Sequence, residues 1–324
     1  MKGDIILVRL IVTGAINWDI NLFVTRFPQV GEEVSVRKIT RVPGGTAANV
    51  SVAAARLLTR GDVAFLGGLG TDALGTSQVQ LLEQEGVDTS AIKFVVGEES
   101  GQAYITIDAS GQNCIHTHFG ANLHFLPGDL TEHTRLNLIK AAQVIVIMDP
   151  PLATAERMAA LGKDSAATII WDPGVYSDLG VKKLAKTLAN TDYFILNRLE
   201  FQNLLGTHES RAVGERLAEI RSSLTAVIKQ GAAGCTLVKD AGRSCTFFPS
   251  IRLERMGLTV VNTVGCGDAF IGAFAASKVH GVSDEVAVTR ANYAGAFKAT
   301  KQETRGSPTK AELDAFIQKV DALT

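Results

Sequence analysis

The sequence predicts an α/β domain of three layers, helix, sheet and helix, in which a central and mostly parallel sheet carries a small β-sheet lid. Three observations predict it. From residue 144 onward, short apolar runs at 144–148, 168–171, 193–196 and 226–228 alternate with helix-length stretches of mixed polarity. Continuous apolar strands separated by helices describe a parallel sheet covered on both faces. Two glycine turns, at 43–49 and 262–268, each run into a segment of alanine and other small apolar residues that reads as a tightly packed helix. Residues 102–119 alternate about an Ala109-Ser110-Gly111-Gln112 turn and break the strand–helix rhythm, so they form a hairpin outside the main sheet.

At 324 residues the chain is long enough for one large domain spanning 1–324, with the lid drawn from about 17–43 and 100–119. Hydrophobic residues make up 46%, charged residues 20%, and the formal net charge is −1, which excludes nucleic acid as a bulk electrostatic partner. The four cysteines, Cys114, Cys235, Cys245 and Cys266, have no CxxC spacing, so neither a disulfide framework nor a zinc site is indicated and a reducing, cytoplasmic setting fits. No run approaches the roughly 18–20 apolar residues of a membrane span, and no membrane partner is expected. The apolar run at 5–12 is interrupted by Arg9, lacks a small-residue cleavage site and is soon followed by Asp19. It reads as a buried first strand.

After that strand, Asn17 and Asp19 stand two apart and share one side of an extended backbone. Together they can bind vicinal hydroxyls, or they form an Asx turn at a strand end. Trp18 between them can stack on a nucleobase or pack beneath the lid. Residues 22–42 read as edge strands. Gly44 and Gly45 then bring backbone close to a ligand, with Asn49 in the first turn of the following helix. A strand at 63–69 and a helix to about residue 86 precede the hairpin, where His116 and His118 share a face that suits a metal or simply the surface of an exposed strand.

Beyond residue 144, polar residues gather just past the strand ends: Asp149, Asp172, Asn197 with Glu200, and Lys229 before Gly231 and Gly234. In doubly wound sheets ligands sit beyond the carboxyl ends of the strands. Asn197 and Glu200, three apart, offer the oxygens Mg²⁺ accepts near phosphates, and equally satisfy a helix capping box. The stretch 229–234 is a glycine turn between strands that either touches a nucleotide or only turns.

The run at 258–261 reads as a strand leading into Gly265-Cys266-Gly267-Asp268. Glycines there let backbone N–H groups converge, and the helix N-terminus adds unsatisfied donors and its positive dipole end, which makes an anion site. A carboxylate placed beside an anion has a chemical use if it receives the proton of an attacking alcohol, so Asp268 is a candidate base for phosphoryl transfer as well as a candidate helix-start residue. The helix end is expected to lower its pKa. Cys266, at the same terminus, is either an activated thiol or a structural residue.

Taken together and in this order, over about residues 10–310, these segments resemble the ribokinase-like carbohydrate kinase family, the phosphofructokinase-B type of sugar and nucleoside kinases. The resemblance rests on Gly44-Gly45 leading to Asn49 and on residues 262–274, where the family's G-A-G-D stands with cysteine in place of alanine. It implies a ribokinase-like three-layer fold, Asp268 as base, and Gly265, Cys266 and Gly267 as anion hole. It implies substrate contacts from Asn17, Asp19, Gly44, Gly45 and Asn49, with Asp149 where close ribokinases have a glutamate. Asn197 and Glu200 match the pair that holds Mg²⁺ through water. Lys229, Gly231, Gly234 and Asn292 fall on the nucleotide side, with Asn292 near the adenine edge. A lid-mediated homodimer is also implied. Two departures stand out: Thr46 replaces a lysine, and Asn262 replaces the aspartate that usually begins the monovalent-cation site, so potassium activation is not implied.

The expected activity is an ATP- and Mg²⁺-dependent transfer of phosphate to a hydroxyl of a pentose or related sugar, with ADP as donor left open. Nucleoside and sugar-phosphate kinases are the alternatives; stacking by Trp18 favours the first, and a basic pocket beyond Arg26, Arg37 and Arg41 favours the second. A regulator that kept sugar binding and lost chemistry is the reading from another class. A nicotinamide enzyme and a P-loop enzyme are excluded, because neither G-x-G-x-x-G after the first strand nor G-x-x-x-x-G-K-[ST] occurs.

Overall fold

A computed structural model describes residues 8–322; positions 5–7 of the first apolar run lie outside the described residues. The strands in chain order are β1 (Leu10–Gly14), β2 (Asn17–Phe23), β3 (Lys38–Gly44), β4 (Val63–Leu66), β5 (Gly68–Gly70), β6 (Lys93–Val95), β7 (Gly101–Ile107) and β8 (Asn113–His118). They continue with β9 (Val144–Met148), β10 (Thr168–Asp172), β11 (Tyr193–Asn197), β12 (Thr225–Lys229), β13 (Gly234–Lys239) and β14 (Ser244–Pro249). The helices are α1 (Thr46–Ala55), α2 (Ala73–Gln84), α3 (His133–Ala141), α4 (Leu152–Asp164) and α5 (Val181–Leu188). They continue with α6 (Arg198–Leu205), α7 (Ser210–Ala218), α8 (Cys266–Val279), α9 (Asp284–Ala299) and α10 (Lys310–Asp321).

Among the described residues, eight strands form the main sheet in the order β14-β13-β12-β11-β10-β9-β1-β4. The six from β12 to β4 are parallel, and β13 and β14 pair antiparallel at one end. The strands read as unbroken apolar runs because both of their faces are covered. Leu10 and Val12 of β1 join a core with α1, α8 and α9, whereas Ile11 between them joins the core beneath α4, α6 and α7. Val146 and Ile147 of β9 divide in the same way.

The second sheet, β3-β2-β7-β8, has four strands and stands apart from the main one. Its hairpin turns where the Asp108 carboxylate accepts the N–H groups of Ser110 and Gln112. The Trp18 indole N–H donates to the Leu74 carbonyl at 3.1 Å, so this ring packs under the lid against α2. All of β8 is exposed, His116 and His118 included.

Three local expectations are corrected. Of residues 24–42, only those from 38 onward form a strand; the rest is irregular. The run at 63–69 breaks after Leu66, and β5 leaves the main sheet to pair with β6; Gly68 within it lies where an added Cβ would meet the Ala121 carbonyl oxygen at 2.3 Å. The run at 258–261 is not a strand. It has the β-branched residues of one, but it finds no sheet edge: Val260 and Val261 are exposed, and the N–H groups of Val261 and Asn262 both donate to the Ala299 carbonyl at the end of α9.

The contact that positions the site is between α1 and α8. Gly272 of α8 lies so close to α1 that a Cβ there would be 2.5 Å from the Ala53 Cβ and 3.0 Å from the Val50 carbonyl oxygen. Asn49 and Asp268 occupy the first turns of these two helices. Gly272→Val is therefore expected to lower stability by about 1–3 kcal/mol through overpacking and to separate Asn49 from Asp268, lowering turnover in protein that still folds. Urea denaturation and steady-state kinetics on the same preparation measure both effects.

Candidate active site

The turn ahead of α8 is shaped by Gly265, which has φ 84° and sits where a Cβ would be 2.3 Å from the Thr304 carbonyl oxygen. Only glycine meets both demands. The Cys266 N–H donates to the Thr263 carbonyl at 3.2 Å and so closes the turn. The N–H groups of Gly267 and Asp268 follow in the same first turn of α8, where backbone donors have no partner within the helix. Burial pushes the Cys266 thiol up from its ordinary value, against the pull of Lys298, the opposite of what an activated thiol needs. The Lys229 ammonium lies 3.7 Å from where a Gly267 Cβ would stand, and it donates to the Asp172 carboxylate at 2.8 Å.

Asp268 accepts from the Asn49 side-chain amide at 2.8 Å. The Asn49 carbonyl oxygen in turn accepts from the Arg305 Nε at 3.0 Å, and Arg305 Nη2 donates to the Gly44 carbonyl and to Gln78 Oε1, both at 3.1 Å. Gln78 donates onward to the Asn17 carbonyl, and Asn122 donates to the Asn17 side chain at 2.9 Å. Asp19 lies against Gly44, where a Cβ would sit 2.3 Å from its carboxylate. Gly45, with φ 88°, caps α1 against the backbone of Asn17. The predicted hydroxyl-binding set and the predicted base thus share one polar chain.

Asp149 closes the same space from the end of β9. It holds a left-handed backbone, φ 56°, with its carboxylate accepting from the Thr46 hydroxyl at 3.0 Å and from the Val175 N–H at 3.1 Å. A non-glycine residue in this conformation is costly, and such strain collects at functional sites.

Burial dominates the electrostatics. It pushes Asp268 up to about 6, opposed by the Asn49 hydrogen bond and the charges of Lys229 and Arg305 and helped by Asp172. The expected lowering by the helix terminus is therefore corrected: removal from water outweighs the dipole. Asp19 also reaches about 6, and Asp149 about 7, each chiefly by burial. Burial brings Arg305 down to about 10, against the pull of Asp19. Burial likewise works against charge on Lys229, but Asp172 and Glu200 hold it above its ordinary value.

On the far side of Lys229, Asn197 and Glu200 form the capping box: the Glu200 N–H donates to Asn197 Oδ1 at 2.9 Å and the Asn197 N–H to Glu200 Oε2 at 2.7 Å. Burial and then the charge of Asp172 raise Glu200. Gly231 and Gly234 turn the chain with φ 57° and 118°, and Gly234 is pressed to 2.1 Å, at a notional Cβ, from the Phe248 carbonyl oxygen. Asn292 donates to the Pro249 carbonyl at 2.7 Å and lines a cavity of about 460 Å³ with Phe248, Ser250, Met256 and Tyr293. Among the described residues, no cluster of three His, Cys, Asp or Glu side chains is placed to hold a metal.

Sequence reading missed Arg305, Gln78 and Asn122. Each is polar and set in ordinary surroundings along the chain, and only the fold shows that they converge on Asn17 and Asn49.

The chain matches the profile of the pfkB family carbohydrate kinase over residues 8–311. It is 28% identical to the ATP-dependent ribose-1-phosphate kinase of Halopiger xanaduensis, covering 97% of this chain and 99% of that one. It is 27% identical to the ribokinase of Haemophilus influenzae, covering 95% and 98%. The solved structure of Arabidopsis thaliana ribokinase complexed with ribose and ATP superimposes with a TM-score of 0.85 at 24% identity, over 96% of this chain and 98% of that one, a likeness of fold. The chain belongs to the pfkB family of carbohydrate kinases.

Proposed function

We propose that this protein transfers the γ-phosphoryl group of ATP to a hydroxyl of a pentose or related sugar, with Asp268 as base. The observation that carries the reading is the hydrogen bond from Asn49 to Asp268, which sets the base against the residues suited to hold a polyol. Asn17, Asp19, Gly44, Gly45, Asn49 and Asp149 would bind the sugar hydroxyls. With its pKa near 6, Asp268 is ionised at neutral pH yet basic enough to take the hydroxyl proton as the oxygen attacks phosphorus. The backbone N–H groups around Gly267, with the Lys229 ammonium beside them, would receive the charge on the transferring phosphate.

Asn292, which lines the cavity at the end of β14, would hold the nucleotide together with Gly231 and Gly234 of the turn between β12 and β13. Asn197 and Glu200 suit Mg²⁺ held through water, because hard oxygen donors meet there and a cation would relieve the repulsion between Glu200 and Asp172. Mg²⁺ would supply neutralisation of phosphate charge. Closure of the β3-β2-β7-β8 sheet would keep water from the phosphate. The face opposite Asp19, with Ile39 and Tyr104 exposed, suits pairing with a second copy. Four unpaired cysteines suit a reducing cytoplasm.

One observation favours a second reading. Arg305 is a buried cation on the substrate side, whereas Arg26 is engaged at the surface with Glu32. A sugar phosphate would answer that charge, and Arg305→Gln should then raise KM for ribose 1-phosphate more than for ribose. Equal effects on both would leave Arg305 as a positioning residue for Asn49.

ADP release should be seen with ATP, Mg²⁺ and one class in a panel of pentoses, hexoses, nucleosides and sugar phosphates. Asp268→Asn should lower kcat by a factor on the order of 10³ or more, since it removes the base. The same variant should be more stable than wild type at pH 8, by roughly 1–3 kcal/mol. The sign follows from the raised folded pKa: its contribution is complete below the unfolded value and is lost as pH rises through about 6. Turnover itself should fall as pH drops through about 6. Asn49→Ala should move that acid limb upward, because the lost hydrogen bond had stabilised the ionised form. A limb that stays in place in Asn49→Ala would detach it from Asp268.

A further inference from the structure

Behind the α8 turn lies a lysine that the reaction does not touch. Lys298, in the last turn of α9, has no solvent exposure. Among the described residues it forms no ion pair: its ammonium donates instead to the main-chain carbonyls of Asn262, at 3.0 Å, and Lys301, at 3.4 Å. Its stem is accommodated by two glycines. A Cβ on Gly265 would be 3.4 Å from Lys298 Cε, and one on Gly306 would be 3.2 Å from Lys298 Cδ.

The two carbonyls belong to different loops. Asn262 begins the turn that delivers Gly265, Gly267 and Asp268, and Lys301 begins the loop that delivers Arg305 to Asn49. The Asn262 side chain bonds the same two loops together through the Gln302 carbonyl at 2.7 Å. A buried cation met by backbone carbonyl oxygens from two loops has the surroundings that a bound alkali-metal ion takes, and an ammonium is close to potassium in size. Burial lowers the pKa of Lys298, while Cys266, Glu303 and Asp268 favour its charge. A buried charge without a carboxylate against it needs a reason.

We propose that Lys298 is a tethered monovalent cation that holds the α8 turn and the 301–306 loop in their phosphate-binding arrangement, so that the enzyme works without dissolved potassium or sodium. This rests on the reading of the α8 turn as the anion site. Lys298 is a positioning residue: it sets the backbone that meets the phosphate and adds positive potential beneath it.

The test compares wild type, Lys298→Met, which keeps the stem and loses the charge, and Lys298→Ala, which opens a space. Wild-type kcat should change by less than about twofold when KCl is replaced by NaCl or choline chloride at equal ionic strength. Lys298→Met should lose about tenfold or more, the scale of weakening one preorganised anion contact, with no recovery in any salt. Lys298→Ala should lose as much and recover several-fold in potassium or ethylammonium but not in choline. Thermal melting reads the same site without turnover: potassium should raise the Tm of Lys298→Ala and leave that of wild type unmoved.

Several-fold potassium activation of wild type would overturn the proposal, as would full activity in Lys298→Met. A folded Lys298→Ala that neither potassium nor ethylammonium restores or stabilises would reduce Lys298 to a packing residue. If neither variant folds, the wild-type salt comparison decides. A wild type that turns over no acceptor would count against the kinase reading alone, and the melting comparison would still settle the cation.

Discussion

The hydrogen bond between Asn49 and Asp268 is the constraint on which the site depends, because it can form only if two helix N-termini from opposite ends of the chain arrive side by side. That arrival is a matter of packing. α1 is built of Ala, Val and Ser, α8 carries Gly272 at the crossing, and both helices are almost wholly buried against β1 and β9. Small side chains let the axes approach, and the approach places an amide donor on a carboxylate. The helices are bland in composition because their task is proximity.

Proximity creates an electrostatic difficulty that the rest of the site answers. Asp19, Asp149, Asp172, Asp268 and Glu200 are drawn toward one region, and burial raises Asp19, Asp149, Asp268 and Glu200. Lys229 and Arg305 stand among them, one paired to Asp172 and one facing Asp19. The result is a carboxylate, Asp268, poised near neutrality with cations on two sides. Lys298 stands behind the turn and, among the described residues, bonds to backbone carbonyls. The three cations thus divide between charge met by carboxylates and charge that shapes main chain.

Much of the fold was legible in the residues. Unbroken apolar runs marked the parallel strands because both faces of each are covered, and the hairpin at 101–118 declared itself by alternation and by its Asp108-to-Gln112 turn. The exceptions have local causes. The 258–261 run carried a strand's residues but reached no sheet edge, and the end of the 63–69 run paired with β6 in a separate two-stranded sheet. Local pattern reports what a segment favours, whereas strand pairing requires a partner at the right place.

By itself, the sequence determined the three-layer α/β class, a smaller second sheet, the glycine turns and the placing of polar residues at strand ends, all of which rest on local periodicity and on backbone demands that single residues meet. The tertiary structure decided what needs separation in sequence to be erased. It set Asp268 near 6 when the helix terminus alone would have lowered it, since burial is a property of the packed molecule. It closed the turn ahead of α8 through the Cys266 N–H and the Thr263 carbonyl. It brought Arg305, Gln78 and Asn122 to Asn17 and Asn49, and Lys298 beneath the α8 turn, from positions whose neighbours along the chain carry no sign of a site. A side chain's chemistry is fixed by its type, but its charge state and its partners are fixed by what folding places around it.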